Sequence, residues 1–375
     1  MIRPPLRVWV WTAAVLALVV VAALLWRGSD AAATDSTTAA PADVPSGTPA
    51  GAVSAAWTAP TTATGGAARS TVDGGRVVVG DEHGVRALEV GTGEEAWRYT
   101  RANARLCDWT LVGGRVVAVS GTADRCDEAV ALSVDTGVRA WTRNLDLRPD
   151  AALTSTDGIV LATSPTGVLT LDPVGDSIRW RAGPEEGCTF ADGDVGAAGV
   201  VVLQHCAEST RVRLLDGYDG TPRWTRDVSD GTTLAGVEEA VVLAGDDGVQ
   251  LLAGADGAPL GPPVAEAADQ ALVTGVGTSA LVWADGTLTV VHQGTGAVSW
   301  RTPATALPAG PVDRALLAAG ATVPVPEGQD VVLRDLATGD ELQRVATPGL
   351  RAGGLVTVAG PVVVHQLPDR VLAYR

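Results

Sequence analysis

The chain has 375 residues and a formal charge of −16 at neutral pH, with an isoelectric point near 4.6. That balance excludes nucleic acid as a partner, since no basic surface is present to displace phosphate counterions. All 27 basic residues are arginine, a bias read as that of a GC-rich bacterial genome, so no lysine is available for Schiff-base or phosphate-cradling chemistry.

The first predicted element is a membrane helix. Val8 to Trp26 is an unbroken apolar run of 19 residues; as a helix it reaches roughly 28 Å, about the thickness of a bilayer's hydrocarbon core. Trp9, Trp11 and Trp26 lie near its ends, where indole favours the lipid–water interface. Arg3 and Arg7 precede it and Arg27 alone follows closely, so residues 1–7 stay cytoplasmic and the rest is exported. A cleaved signal peptide is the rival, because Ala31, Ala32 and Ala33 offer a peptidase small residues, but the apolar run is long for one. The reading is a single-pass signal anchor over 8–26 with an extracytoplasmic C-terminal body. Residues 27–51, rich in Ala, Thr, Ser and Pro, are expected to be a disordered linker of about 25–30 Å mean span.

From residue 52 onward, short β-rich runs alternate with Gly, Asp and Thr turns, which reads as antiparallel strands. Examples are Arg76–Asp81 followed by Gly84–Val90, and Ala240–Gly245 followed by Gly248–Gly254. A tryptophan then recurs after a polar turn: Trp57, Trp97, Trp141, Trp180 and Trp224 are separated by 40, 44, 39 and 44 residues. Leu260, Trp300 and Leu342 continue the series at steps of 36, 40 and 42. A period near 40 with four strands per unit is the signature of a propeller blade. The chain finishes on a third strand, Asp369–Arg375, while residues 52–58 resemble a fourth strand that has lost its first three. The expectation is an all-β, eight-bladed propeller over 52–375, closed by its N-terminal strand.

The pattern D-x-x-T-G-x-x-x-W at this period resembles the pyrroloquinoline-quinone (PQQ) repeat of quinoprotein-type propellers, over essentially all of 52–375. The resemblance implies that Trp57, Trp97, Trp141, Trp180, Trp224 and Trp300 dock each outer strand on a neighbouring blade, with the seams at Leu260 and Leu342 weaker. A flat indole buries a large area and needs an acceptor for its N–H.

The four cysteines form two pairs, Cys107/Cys126 and Cys188/Cys206, offset from one another by 81 and 80 residues, or two blade periods. Each pair is expected to join the start of a first strand to the end of a second as a disulfide, consistent with an oxidising compartment. Zinc is the rival, disfavoured because C-x-x-C spacing is lacking.

Quinoprotein dehydrogenases of the resembled family use PQQ, calcium, an aspartate base, a tryptophan floor and adjacent cysteines. This chain has no adjacent cysteines, and Trp109 and Trp283, the two off-repeat indoles, are expected to pack inside blades. The histidines His83, His205, His292 and His365 show no ligand spacing. The segments 191–196 and 245–249 look superficially like calcium loops and are read as solvated hairpin turns. The expectation is therefore no enzyme, no cofactor and no metal: a membrane-anchored scaffold binding an unidentified protein or cell-envelope component. A PQQ/calcium-dependent dehydrogenase or quinone- or small-ligand-binding sensor is the alternative. A second resemblance, to the eight-bladed scaffold lipoprotein of outer-membrane protein assembly, implies the scaffold role, although here a helix replaces the lipid anchor.

Overall fold

Continuous apolar runs such as Arg76–Gly80 and Ile159–Ser164 are buried along their whole length, because each sheet is covered on both faces by its neighbours. The computed structural model describes residues 6–62, 70–122, 124–156, 158–268, 270–309 and 321–375. Eight sheets follow one another along the chain. Blade 1 spans Val72–Arg101, blade 2 Arg105–Leu147, blade 3 Ala152–Ala182 and blade 4 Cys188–Val228. Blade 5 has three strands over Thr233–Ala253, with isolated bridges from Leu252 to Pro259 and Val249 to Ala265 in place of a full fourth. Blade 6 spans Ala271–Pro303, and blade 7 contains Thr322–Glu327, Asp330–Asp335 and Glu341–Ala346.

Blade 8 draws on both ends of the body: Leu355–Ala359, Val362–Gln366 and Arg370–Tyr374 are joined by an N-terminal strand, Ala55–Pro60. Ala55 lies opposite Tyr374 and Trp57 opposite Ala373. Leu307–Pro308 adds to the inner edge of this blade in parallel, beside Leu355 and Val356.

Among the described residues, the hydrophobic clusters bridge successive blades, and one joins blades 6 and 7 with Leu307 and Leu355 of blade 8. Trp97, Val78 and Val85 of blade 1 meet Val116 and Val130 of blade 2; Val201 and Trp224 of blade 4 meet Val241 and Leu252 of blade 5. The core is thus a circle of interfaces between sheets, and no blade can bury its faces alone. First strands of neighbouring blades also touch one another around the centre. Antiparallel order puts the first-to-second and third-to-fourth strand turns at one end of every blade, here termed the turn face. Second-to-third turns and the connections between blades form the opposite loop face.

The N-terminal helix α1 runs Leu6–Arg27, and Arg7–Arg27 is long and apolar enough to cross a membrane; Arg3 lies outside the described residues. The linker is the main departure from expectation. After a short helix α2 (Asp30–Ala33), strand β1 (Thr34–Ser36) pairs antiparallel with Tyr99–Arg101 as a fifth strand on blade 1. The chain then crosses the turn face as a strap. Thr37 N donates to Arg98 O at 2.9 Å and Ala39 N to Thr136 O at 2.9 Å. Ala42 and Asp43 sit so closely on Gly75 that an added Cβ would lie 2.6 Å from Asp43 O; Pro45 crowds Gly360 in the same way. Gln343 Nε2 reaches Pro49 O at 2.7 Å, and Ala346 exchanges backbone bonds with Gly51 and Val53.

Composition misjudged this segment because it is held by backbone hydrogen bonds on an open sheet edge and by glycine turns, with little apolar burial. Arg76 depends on it. This arginine is 1% exposed, donates to Ala40 O at 2.8 Å and Asp135 O at 3.0 Å, and pairs with Glu89. Loss of a partner from a buried charged donor costs about 1–3 kcal/mol. A body beginning at Pro49 should therefore melt several degrees below one beginning at Thr34; equal melting temperatures by calorimetry would restore the free-tether reading.

Candidate functional site

The repeated turn is built locally. Asp172 Oδ1 accepts from Val174 N and Gly175 N, both at 2.8 Å, and Asp335 Oδ1 accepts from Ala337 N and Thr338 N, both at 2.9 Å. These backbone donors hold both carboxyls below their ordinary pKa and fold the aspartate turn. The turn then offers a carbonyl to the tryptophan of the preceding blade. Trp57 Nε1 donates to Val90 O at 3.0 Å, Trp97 to Val134 O at 2.8 Å and Trp141 to Pro173 O at 2.8 Å. Trp180 reaches Gly217 O at 3.1 Å, Trp224 Gly254 O at 3.1 Å and Trp300 Leu336 O at 2.8 Å.

Under five of the six indoles lies the turn glycine. At Gly137 (φ +72°) an added Cβ would come 2.7 Å from Trp97 Cγ, and at Gly339 (φ +78°) 2.7 Å from Trp300 Cγ. The turn facing Trp141 has Asp176 at that position, at φ 60°, tied to Arg143 at 2.7 Å. Leu260 covers Gly296 without an indole, whereas Leu342 is 58% exposed. Blade 8 has no continuous turn for Leu342 to meet, and the strap at 49–53 closes that seam instead. Gly137→Ala combines left-handed strain with a clash and should cost about 2–4 kcal/mol. Gly286→Ala, at φ +86° with nothing within 4 Å, should cost only the strain, about 1–2 kcal/mol. Equal losses in denaturant titrations would remove the indole contact from the account.

Both disulfides are present, Cys107–Cys126 and Cys188–Cys206. Cys188 and Cys206 are direct register partners on first and second strands, as expected. Cys107 differs: it falls in a bulge between Leu106 and Asp108, unpaired in the ladder, and reaches Cys126 at the start of the third strand. The two pairs are therefore not equivalent in their blades.

A second set of contacts, between blades 2 and 3, 4 and 5, and 5 and 6, was missed in the sequence. Asp108 Oδ2 on blade 2 accepts from Leu153 N of blade 3 at 2.7 Å. Asp194 Oδ2 on blade 4 accepts from Val237 N of blade 5 at 3.1 Å, and Glu238 Oε1 from Gly275 N of blade 6 at 2.8 Å. First strands of adjacent blades share no ladder, so their inner N–H groups need such acceptors. The 191–196 segment belongs to the first strand Cys188–Gly196 and is no hairpin turn; 245–249 is a turn, as read. The only sequence signal was a carboxylate interrupting an apolar first strand.

Burial raises the Asp194 pKa to about 6, with Asp192 adding repulsion, against the hydrogen bonds from Val195 and Val237. Burial, helped by the charges of Asp194 and Glu239, raises Glu238 to about 7. Raised folded-state values mean that the folded form holds protons more tightly, so stability present below pH 4 is lost as pH rises through 6 to 7. The loss should be about 1–2 kcal/mol for the pair, since both keep some solvent contact. Asp194→Asn with Glu238→Gln should flatten the pH 4.5–7.5 stability profile; an unchanged slope would assign the effect to net charge alone.

Other candidate groups remain apart. His83 Nδ1 lies 2.8 Å from Ala104 O, His205 Nδ1 3.2 Å from Thr210 Oγ1, and His365 Nε2 2.8 Å from Gly353 O; His292 ends a strand of blade 6. Among the described residues no group of three or more His, Cys, Asp or Glu is placed to hold a metal ion. Trp109 packs between blades 1 and 2 and Trp283 between blades 6 and 7. A pocket of about 680 Å³ opens on the loop face at blades 6 to 8, lined in part by Trp283, Asp285, Thr305, Glu327 and Gly353. On the turn face, Val138, Val174 and Tyr218 project from the turns of blades 2, 3 and 4, exposed by 53%, 62% and 62%. Arg179 stacks on Tyr218, 4.6 Å from its ring centre.

A family model described as outer membrane protein assembly factor BamB matches residues 42–182, the strap and the first three blades. The crystal structure of BamB from Moraxella catarrhalis superposes with a TM-score of 0.50 at 15% identity, covering 86% of this chain and 99% of that one. The computationally designed Ika8 protein gives a TM-score of 0.57 at 13% identity, over 87% of this chain and all of that one (100%). The C-terminal WD40 domain of Sif2 gives 0.52 at 10% identity, over 86% and 98%. At such identities the likeness is one of fold. No curated protein matches the chain. The chain is an eight-bladed β-propeller, and its residues 42–182 are similar to the BamB family model.

Proposed function

We propose that this protein is a membrane-anchored, extracytoplasmic propeller that binds another protein and performs no catalysis of its own. The supporting observation is the apolar arc of Val138, Val174 and Tyr218 on three successive blades. Its blade 2 end adjoins the strap, which bonds Thr136, and it runs from there over blades 3 and 4. Exposed apolar groups aligned along one edge of a rigid, otherwise acidic body suit a protein partner. The name of the BamB relatives, an assembly factor, is consistent with a scaffold role. Helix α1 supports anchoring, and the two disulfides support an oxidising compartment.

Pull-down from native membranes should recover a partner with the native body and lose it with Val174→Ser/Tyr218→Ser, whose melting temperature should stay near native. Retention of the same partner by the double variant would reject the arc as the docking surface. The loop-face pocket favours a second reading, a small-ligand sensor. That reading requires a thermal shift with an envelope sugar or PQQ that a substitution at Thr305 abolishes.

A further inference from the structure

The join between α1 and the propeller is short and fixed. Gly28 N donates to Leu24 O and Ser29 N to Trp26 O, both at 3.0 Å, closing α1. Ser29 at once caps α2, its Oγ accepting from Ala32 N at 3.3 Å. Asp30 Oδ1 then pairs with Arg101 Nη2 and Asn103 Nδ2, each at 2.7 Å, and Ala102 N donates to Ala33 O at 2.9 Å. Arg101, its side chain 5% exposed, also pairs through Nη1 with Glu128 of blade 2, so one buried guanidinium ties the tether to two blades. Gly28 and Ser29 alone separate the apolar helix from its first pinned residue. Even fully extended, that join spans no more than about 11 Å.

We infer that the loop-face rim of blades 1 and 2 rests in the headgroup layer of the bilayer, which is the surface it contacts. This rests on α1 being an uncleaved span. With Trp26 at the interface, Asp30, Arg101 and Asn103 cannot leave the headgroup region without breaking the clamp. The adjoining edge of blade 2 alternates in sign: Arg125 pairs with Asp146 at 2.6 Å and Arg148 with Asp150 at 3.4 Å, all four exposed. Such an edge matches zwitterionic headgroups, which present phosphate and ammonium together. A chain of net charge −16 is otherwise repelled from anionic lipid, so it is the clamp that keeps the disc down. The disc is thereby held in one orientation, with its docking edge at a set height above the lipid.

The test uses the full chain in phosphatidylcholine nanodiscs containing a small fraction of gadolinium-chelating lipid. All four cysteines are in disulfides, so Asp150→Cys or Asp256→Cys can carry a single nitroxide. Relaxation enhancement should be strong at 150 and absent at 256. A spacer of about ten Gly and Ser residues between Gly28 and Ser29, adding roughly 17 Å of flexible reach, should abolish the enhancement at 150. Equal enhancement at both sites without the spacer would overturn the inference, as would an intact mass showing that the membrane-extracted chain begins at Thr34. Cleavage before Thr34 would also remove the anchor from the proposed function, whereas equal enhancement in an uncleaved chain would overturn this inference alone; partner capture through the blade 2–4 arc would be untouched by either result.

Discussion

An indole N–H placed on the carbonyl of the next blade's turn is the contact on which this architecture depends. A single four-stranded sheet with two apolar faces has no stable existence in water. It persists only when each face is covered, and the six tryptophan seams fix how far one sheet is rotated against the next. Hydrogen bond and aromatic face act together: the donor sets the position of the ring, and at five of the six seams the flat ring lies on a turn glycine, with Asp176 at the sixth. That contact explains the coupling of tryptophan and glycine one blade apart.

The interior obeys a different rule. Near the axis, first strands of neighbouring blades approach edge to edge without sharing a ladder, and their amide groups would be left without acceptors. Asp108, Asp194 and Glu238 supply them. The outer belt is apolar with one polar handle, and the inner belt is ionic. In the inner belt burial competes with charge and raises Asp194 and Glu238, whereas backbone donors lower the turn aspartates Asp172 and Asp335 of the outer belt.

Much of the fold was legible because the tryptophan period reports blade length directly, and because the second strands read as continuous apolar runs. The strap was not legible. Residues 34–51 have the composition of a coil, and their attachment comes from backbone groups that every sequence carries: Thr37 on Arg98, Ala39 on Thr136, Gly51 on Ala346. The inner carboxylates were hidden for a related reason, since Asp194 in a Gly-rich stretch has the same letters as a solvated turn. Cys107 was assigned the correct partner but a misplaced strand relation, because Cys126 lies past the second-to-third turn, at the start of the third strand, and no pattern announces where the second strand ends. Exposed side chains such as Tyr218 carry no sequence signal of exposure at all.

The composite eighth blade has a bearing on biogenesis. Ala55–Pro60 leaves the ribosome before the other strands of the propeller, yet its sheet partner, Arg370–Tyr374, is made only after the seven other blades. While the chain is being made the growing arc has two raw ends, and the seam beside Leu342 stays open until Gly51–Val53 returns to it. Closure joins residues more than three hundred positions apart, a loop whose entropic cost falls late in folding. Until that partner strand is made, the nascent disc therefore remains a ring with a gap, dependent on whatever shields its unpaired strands.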